Sequence, residues 1–205
     1  MYLLDGKKIN VDSAMTIEGT QYPPGHFRDA EARDAAGITE VPDPVRPDER
    51  FYFINENDDG SLTVTPKATS SILDMLWGWI TTYRDTLMAA GCEVGVHWFH
   101  NDIKSRSQWE RMTNRANNSA MLGADPYTIS GQQVPWKTMS GVFVPLTAGL
   151  IREVVAEFEV QEVTIFMVAE QHRDALAELA QADDVAGMAA YDWHAGWPAV
   201  YGEPV

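Results

Sequence analysis

The chain has 205 residues, of which 45% are hydrophobic, enough to fill the core of one ordinary domain or of two small ones. Its 15 Lys and Arg stand against 30 Asp and Glu, and the formal net charge of -15 disfavours both nucleic acid and a membrane surface as partners. The single cysteine, Cys92, excludes an internal disulfide framework and a multi-cysteine zinc module, and its apolar neighbours predict a buried, inert thiol.

Residues 1–67 are predicted to form a small β-rich module. The first residues lack the pattern of a secretory leader and instead predict a hairpin that turns at Asp5-Gly6. A short helix should follow in "RDAEARDAAGI" and end at Gly37. The prolines of "EVPDPVRPDER" predict a stiff, extended connector, and "RFYFINENDDGSLTVTP" predicts a second hairpin that turns at its Asp-Gly pair.

Residues 68–205 are predicted to form a mainly helical domain. Apolar residues recur at helical spacing in "ATSSILDMLWGWITTYRDTLMAAG", which predicts a helix that ends near Gly91. A short strand, "EVGVHWF", should follow, and then a helix in "SRSQWERMTNRANNSAML" with Ser107 and Glu110 as a capping box. The stretch "VPWKTMSGVFVPLT" predicts a β-hairpin that turns at its Ser-Gly pair.

One long helix is predicted from Thr147, its N-cap, to about Ala182, a span of roughly 50 Å. Val160, Val163 and Met167 place apolar side chains outside its main stripe. Either another helix or another chain covers part of this helix, or it packs in the ordinary way on the first helix of the domain. The aromatic tail "YDWHAGWPAVYGEPV" should fold back over the core. The predicted fold is therefore α+β, with a β-rich module followed by a mainly helical domain that contains a β-hairpin and one long helix.

His97, His100 and Asp102 form a His-x-x-His-x-Asp pattern that could indicate a metal site. Residues three apart on a strand point to opposite faces, so the two histidines could share an ion only if the backbone bent between them. No third ligand of the usual kind is specified nearby. The pattern is better interpreted as a structural joint, in which Asn101, Asp102 and Ser105 bond to the backbone and start the next helix.

No familiar catalytic motif occurs in the sequence. A nucleophile elbow, a phosphate-binding loop, a dinucleotide fingerprint and a zincin helix are all absent. His172 stands alone on a predicted helix and should be satisfied by a neighbour. Glu153 and Glu157 lie four apart, as on a solvated helix face, and a polysaccharide hydrolase would instead need two acids that face one sugar. We therefore predict no enzymatic activity, no metal and no cofactor.

Three stretches, "GVHWFHNDIKSRSQW", "PWKTMSGVFVPLTAGLI" and "YDWHAGWP", carry a resemblance to a known family. In this order they resemble the C-terminal domain of a family of tailed bacteriophages and prophages, known mainly as a domain of unknown function. Its members tend to be described as tail-fibre or tail-fibre assembly proteins. The resemblance covers about residues 68–200, and "QYPPGHFRDAEARDAAGITEVPDPVRPDERFYF" also looks like a phage module that often precedes this domain.

The resemblance implies that the signature positions determine the fold. Asp102 and Ser105 would be turn and cap groups, and Arg106 would bind a carboxylate or a carbonyl. Trp136 would anchor the core, and Gly141 would supply the positive φ of the hairpin. Asn101 replaces the serine that is more usual there, and both side chains can cap. The signature positions are Trp98, His100, Asp102, Ser105, Arg106, Trp136, Lys137, Thr138 and Gly141.

The resemblance also implies a non-enzymatic structural protein of the phage tail, associated with a tail fibre or its attachment region. Residues 1–67 would be an attachment module, the partners would be tail-fibre or tail proteins, and the chain would be oligomeric in the assembly. It would occur in the virion tail and, during assembly, in the host cytoplasm. The main alternative is a tail-fibre assembly chaperone, and further rivals are receptor binding at the fibre tip and a depolymerase of host surface sugar. The candidate interface residues are Trp77, Trp79, Val160, Val163, Met167, Trp193 and Trp197.

Overall fold

The computed structural model describes residues 1–118 and 127–202. The chain divides into two compact units, Met1–Ile72 and Leu73–Val205. The fold is α+β, as predicted, because short strands are the main regular structure of the first unit and the second is mainly helical with one long helix. Within the described residues, no helix combines the length and the apolar character that a membrane crossing needs.

Short antiparallel strands are the main regular structure of the first unit. Strand β1 (Tyr2–Leu4) pairs with β2 (Lys7–Ile9) in the predicted first hairpin, and β5 (Thr39–Glu40) pairs with the other edge of β1. A further hairpin, of β3 (Met15–Ile17) and β4 (Thr20–Tyr22), was not predicted from the sequence.

Helix α1 (Ala30–Ala35) confirms the predicted short helix of the first unit. Asp29 is its N-cap, and the side chain accepts a hydrogen bond from the Ala32 N–H at 3.0 Å. The chain turns out of the helix at Gly37, which has a φ of 70°. Both ends of this helix are therefore determined by residues next to it in the sequence.

A small apolar core lies under these elements. Phe27, in a single 3₁₀ turn at His26–Arg28, is 1% exposed and packs in one cluster with Val11 and Ile38. Half-buried apolar side chains from the strands and from α1 surround the cluster.

Residues 41–48 have no regular structure, as the prolines predict, and they lie inside the first unit. The second predicted hairpin follows as β6 (Tyr52–Glu56) and β7 (Leu62–Pro66). Arg46 of the connector donates a hydrogen bond to Glu56 of this hairpin at 2.7 Å. The contact is half-exposed, so it orients the connector more than it stabilises the fold.

The described residues of the second unit contain four helices. Helix α2 (Thr69–Met88), whose first residues belong to the first unit, is followed by α3 (Ile103–Ala116), α4 (Ala148–Gln181) and α5 (Val185–Ala190). The long helix α4 has 34 residues and confirms the predicted bounds, with Thr147 as its N-cap. Helix α5 was not predicted. The sequence predicted that α3 would continue to residue 122, but it ends at Ala116, and residues 119–122 lie outside the described residues.

The single strand predicted at residues 93–99 is wrong, because this segment folds as a hairpin of β8 (Cys92–Val94) and β9 (His97–Phe99). Gly95 lies in the turn with a φ of 64°, a conformation that glycine adopts without a steric penalty. The alternating apolar residues on its two sides belong to two strands instead of one.

Between α3 and α4, residues 127–147 contain two more hairpins. Strands β10 (Thr128–Ile129) and β11 (Gln132–Gln133) form one that was not predicted. Strands β12 (Pro135–Lys137) and β13 (Phe143–Pro145) form the predicted one.

The predicted capping box of Ser107 and Glu110 is also wrong. Helix α3 begins one turn earlier, and Asp102 is its N-cap, with Oδ1 accepting a hydrogen bond from the Ser105 N–H at 3.0 Å. Ser107 therefore lies within the helix, where its N–H needs no cap.

Trp109 of α3 is the largest of the fully buried side chains and anchors the core of the second unit. Its ring centroid lies 4.3 Å from that of Trp136, 5.8 Å from that of Phe99 and 6.1 Å from that of Phe158. It thus contacts two hairpins and α4 at once. Trp136, the anchor expected from the sequence, is half-buried and packs against this cluster.

The aromatic tail folds back onto the second unit, as predicted. Val200 is buried in one cluster with Leu87 and Ile165, and Trp197 packs against them.

We expect Trp109→Ala to lower the free energy of unfolding by about 3–5 kcal/mol, because it removes a fully buried ring and leaves a cavity. Trp136→Ala removes a half-buried ring and should cost less, on the order of 2 kcal/mol. Denaturant unfolding of the two variants measures both losses. A larger loss for Trp136→Ala than for Trp109→Ala would contradict this assignment of the anchor.

Candidate interaction site

The polar signature residues after β9 form a hydrogen-bonded joint at the start of α3. Asp102 caps the helix through Oδ1, and its Oδ2 accepts a hydrogen bond from Ser105 Oγ at 2.7 Å. This bond is the main reason that the pKa of Asp102 is lowered from its ordinary value of 3.8. Asp102 is therefore a cap group, as predicted, but Ser105 is not a second cap, because its hydroxyl bonds the Asp102 side chain. The Asn101 side chain bonds Gln161 and Arg106 and not the backbone, so that part of the prediction is wrong.

Arg106 connects this joint to the long helix. Its Nε donates hydrogen bonds to Asn101 Oδ1 at 2.8 Å and to the Asn101 carbonyl oxygen at 3.2 Å, while Nη1 donates to Glu162 Oε2 at 2.8 Å. Arg106 was predicted to bind a carboxylate or a carbonyl, and it binds both. The contact joins α3 to α4.

Gln161, which was not predicted as a site residue, lies on the buried face of α4 and is 7% exposed. Its Nε2 donates a hydrogen bond to the Gly91 carbonyl oxygen at 2.6 Å, and its Oε1 accepts one from Asn101 Nδ2 at 3.4 Å. Gly91 has a φ of 91°, and a Cβ there would lie 2.8 Å from the Phe99 carbonyl oxygen, so a larger residue does not fit. Gln161 therefore fixes both ends of the β8–β9 hairpin to α4.

The remaining signature residues shape the hairpin of β12 and β13. Thr138 is 1% exposed, and its Oγ1 donates to the carbonyl oxygen on the other side of the turn at 2.9 Å. Gly141 has the expected positive φ, 86°, and Lys137 is exposed. The carbonyl oxygen of Trp98 accepts a hydrogen bond from the Met139 N–H at 2.9 Å, which joins this hairpin to β9.

The groups that could carry metal or nucleophilic chemistry are held in structural contacts. His97 lies edge-on to Phe99, His100 is half-buried, and the Asp102 carboxylate caps α3. Across residues 1–118 and 127–202, no group of three or more His, Cys, Asp and Glu side chains could hold a metal ion. Cys92 is 1% exposed, and burial raises the pKa of its thiol to about 12, which confirms the buried thiol predicted from the sequence.

The tryptophans of the candidate interface are half-buried and make packing contacts within the second unit. The ring of Trp193 lies 6.1 Å from that of Trp79, and Trp197 Nε1 donates a hydrogen bond to the Trp193 carbonyl oxygen at 2.9 Å. The guanidinium of Arg173 lies 5.8 Å from the ring of Trp77. These rings therefore leave only part of their area for a partner.

His172 is 6% exposed and bonded at both ring nitrogens, which confirms that neighbours satisfy it. Nε2 lies 3.0 Å from the Ala195 carbonyl oxygen, and because a carbonyl only accepts, Nε2 carries the proton. Nδ1 then accepts a hydrogen bond from the Tyr191 hydroxyl at 2.7 Å. Burial is the main cause that lowers the pKa of His172 from its ordinary 6.5.

Helix α4 also exposes apolar side chains on a second side. Val160, Val163, Phe166 and Met167, which together we call the outer face, are 57%, 62%, 48% and 51% exposed. Because they are three or four residues apart, they lie on one side of the helix. The residues of the opposite, buried face include Ile151, Val154, Phe158, Gln161, Ile165, Ala169, His172 and Leu176.

A depression of ≈240 Å³ adjoins the outer face at Val160. Trp98 and Pro198 contribute apolar walls, and Glu93 and Glu157 contribute carboxylates. The outer face and this depression form the candidate interaction site.

We expect Gln161→Ala to lower the free energy of unfolding by about 1–3 kcal/mol, because it leaves the Gly91 carbonyl and the Asn101 amide without a buried partner. The matched control is Gln171→Ala, an exposed position on the same helix, which should change stability by less than about 0.5 kcal/mol. Denaturant unfolding measures both variants, and equal losses would show that the buried amide is not a stabilising contact.

We also expect stability to fall as the pH drops from about 7 to about 5. The pKa of His172 is lowered in the folded state, so below 6.5 the unfolded chain takes up a proton that the native ring does not. The contribution of the neutral His172 ring to stability is complete above the pKa that this residue has in the unfolded chain, and it is lost as the pH falls below that value. Thermal unfolding across this window should show a weaker pH dependence in His172→Gln, and an unchanged dependence would contradict the assignment.

Comparison with known proteins assigns this part of the chain to a family. Residues 73–191 match the family model described as "Domain of unknown function (DUF4376)". Neither the curated proteins nor the solved structures contain a match to the chain. The matched segment is more than half of the chain and includes both the joint and the outer face. The chain therefore belongs to the DUF4376 family.

Proposed function

We propose that this chain is a non-enzymatic structural protein of a bacteriophage tail, in contact with a tail fibre or with the region where fibres attach. The family description names no activity. The phage assignment is supported by the three sequence stretches that resemble phage proteins described as tail-fibre or tail-fibre assembly proteins.

The outer face of α4 is the observation that carries the assembly role. Its four apolar side chains are each about half exposed or more and are contiguous along the helix. Folded proteins seldom leave such a patch open to water unless another protein or a ligand covers it. A contact with a neighbouring protein in an assembly would bury this surface.

The signature residues favour a structural role over catalysis. A catalytic acid or base has to reach a substrate. Instead, Asp102 binds the first turn of α3, Thr138 binds the turn of its own hairpin, and Arg106 bridges α3 and α4.

In this proposal the chain occupies the virion tail as part of an oligomeric assembly and passes through the host cytoplasm beforehand. The second candidate is a tail-fibre assembly chaperone, which would use the same outer face to hold a fibre segment before release. The two functions differ in whether the chain stays in the particle.

Quantitative mass spectrometry of gradient-purified particles tests the proposal. A structural subunit should appear at a fixed ratio to the major tail protein in independent preparations. A chaperone should be absent from particles but bound to fibre protein in the lysate of infected cells. Absence from both the particles and the fibre complexes would contradict both functions.

A further inference from the structure

We propose that the outer face of α4 is the docking site for a basic amphipathic helix of another protein. This inference rests on the proposed function only for the statement that the partner is a tail protein. The apolar and basic character of the partner helix is inferred from the apolar side chains and the carboxylates of the outer face.

The outer face has the spacing of a helix-binding surface. Val160, Val163 and Met167 follow one another at intervals of three and four residues, and Phe166 widens the strip by one side chain. An amphipathic helix presents apolar residues with the same repeat, so the two strips can pack side by side. The depression at Trp98 and Pro198 receives a side chain from the end of the docked helix.

Carboxylates lie beside and between the apolar residues of the outer face. On the helix surface, Glu157 lies one turn before Val160, and Glu159 lies one turn before Val163. Glu162 is one turn before Phe166, and Glu170 follows Met167 by three residues. From residue 153 to residue 172 the helix carries neither lysine nor arginine. Negative charge therefore accompanies the apolar strip along its length.

Two of these carboxylates are paired within the chain and others are not. Arg106 binds Glu162 at 2.8 Å, and Arg173 binds Glu170 at 3.2 Å. Within the part of the chain that the structure describes, no cation lies within 4.0 Å of the carboxylates of Glu157 and Glu159. These two, with Glu93 at the rim of the depression, are available to lysine or arginine side chains of a partner.

The charges also distinguish between possible occupants. A second copy of the chain would bring an identical acidic border against this one, in a molecule whose formal net charge is -15. An anionic lipid surface would be repelled in the same way. A helix with leucine-like residues in its strip and lysine or arginine on both flanks matches the apolar face and neutralises its borders.

The test uses the purified full chain and two designed peptides of about 18 residues, long enough to span the outer face as a helix. Both peptides carry leucine at helical spacing. The first has lysine on the flanks of the leucine strip, and the second has glutamate at the same positions. We expect fluorescence anisotropy to show at least about tenfold tighter binding of the lysine peptide, and the binding should weaken as salt is added.

A double variant, Val163→Gln with Met167→Gln, removes the centre of the strip while keeping good helix formers, and should weaken binding of the lysine peptide about tenfold or more. The matched control is Val142→Gln, which replaces a side chain that is 51% exposed, as Met167 is, but lies outside α4. This control should bind like the parent chain. Circular dichroism verifies that both variants remain folded.

The proposal is overturned if the lysine peptide does not bind, if both peptides bind equally, or if the double variant binds as well as the control. It is also overturned if sedimentation shows a dimer that the double variant alone abolishes, because the outer face would then belong to a second copy. None of these results bears on the composition of phage particles, so the docking surface can fail while the structural role stands.

Discussion

The buried amide of Gln161 is the constraint on which the packing of the second unit depends. Burying an amide without hydrogen-bond partners costs free energy. Both the Nε2 and the Oε1 of Gln161 therefore need a partner inside the protein. Its partners are the Gly91 carbonyl, just before the β8–β9 hairpin, and Asn101, just after it. Asn101 is bound in turn by Arg106 of α3. One side chain of α4 thus sets the position of a hairpin and of the next helix.

Helix α4 has more surface than one core can cover. Its buried face runs from Ala148 to Leu176 and packs against the hairpins, α3 and the aromatic tail. The side chains of the outer face are 48–62% exposed, so they contribute less to holding the second unit together than the buried face does. Substitutions there should act on association while leaving the fold intact, whereas substitutions at Gln161 act on the fold itself.

The elements that were predicted correctly depend on neighbours in sequence. Thr147 caps α4 and Gly37 ends α1 through local bonds and local dihedral angles, which a sequence shows directly. The features that were not predicted depend on contacts between residues that are distant in sequence. Trp109 and Trp136 are the same residue type, and only the packing of α3 on α4 makes the first the anchor. The sequence did not indicate the role of Gln161, because its partner Gly91 is 70 residues away.

In the proposed docking, the carboxylates of the outer face oppose its pairing with a second copy of the chain. Two outer faces brought together would place acidic side chains of both copies, Glu157 and Glu159 among them, beside one apolar contact, and like charges at close range repel. A basic partner removes this penalty and gains the apolar contact, so the same carboxylates that attract one occupant exclude the other. In the proposed docking, an oligomer formed in an assembly would be held by the partner or by other surfaces, and the outer face would stay free until that partner binds.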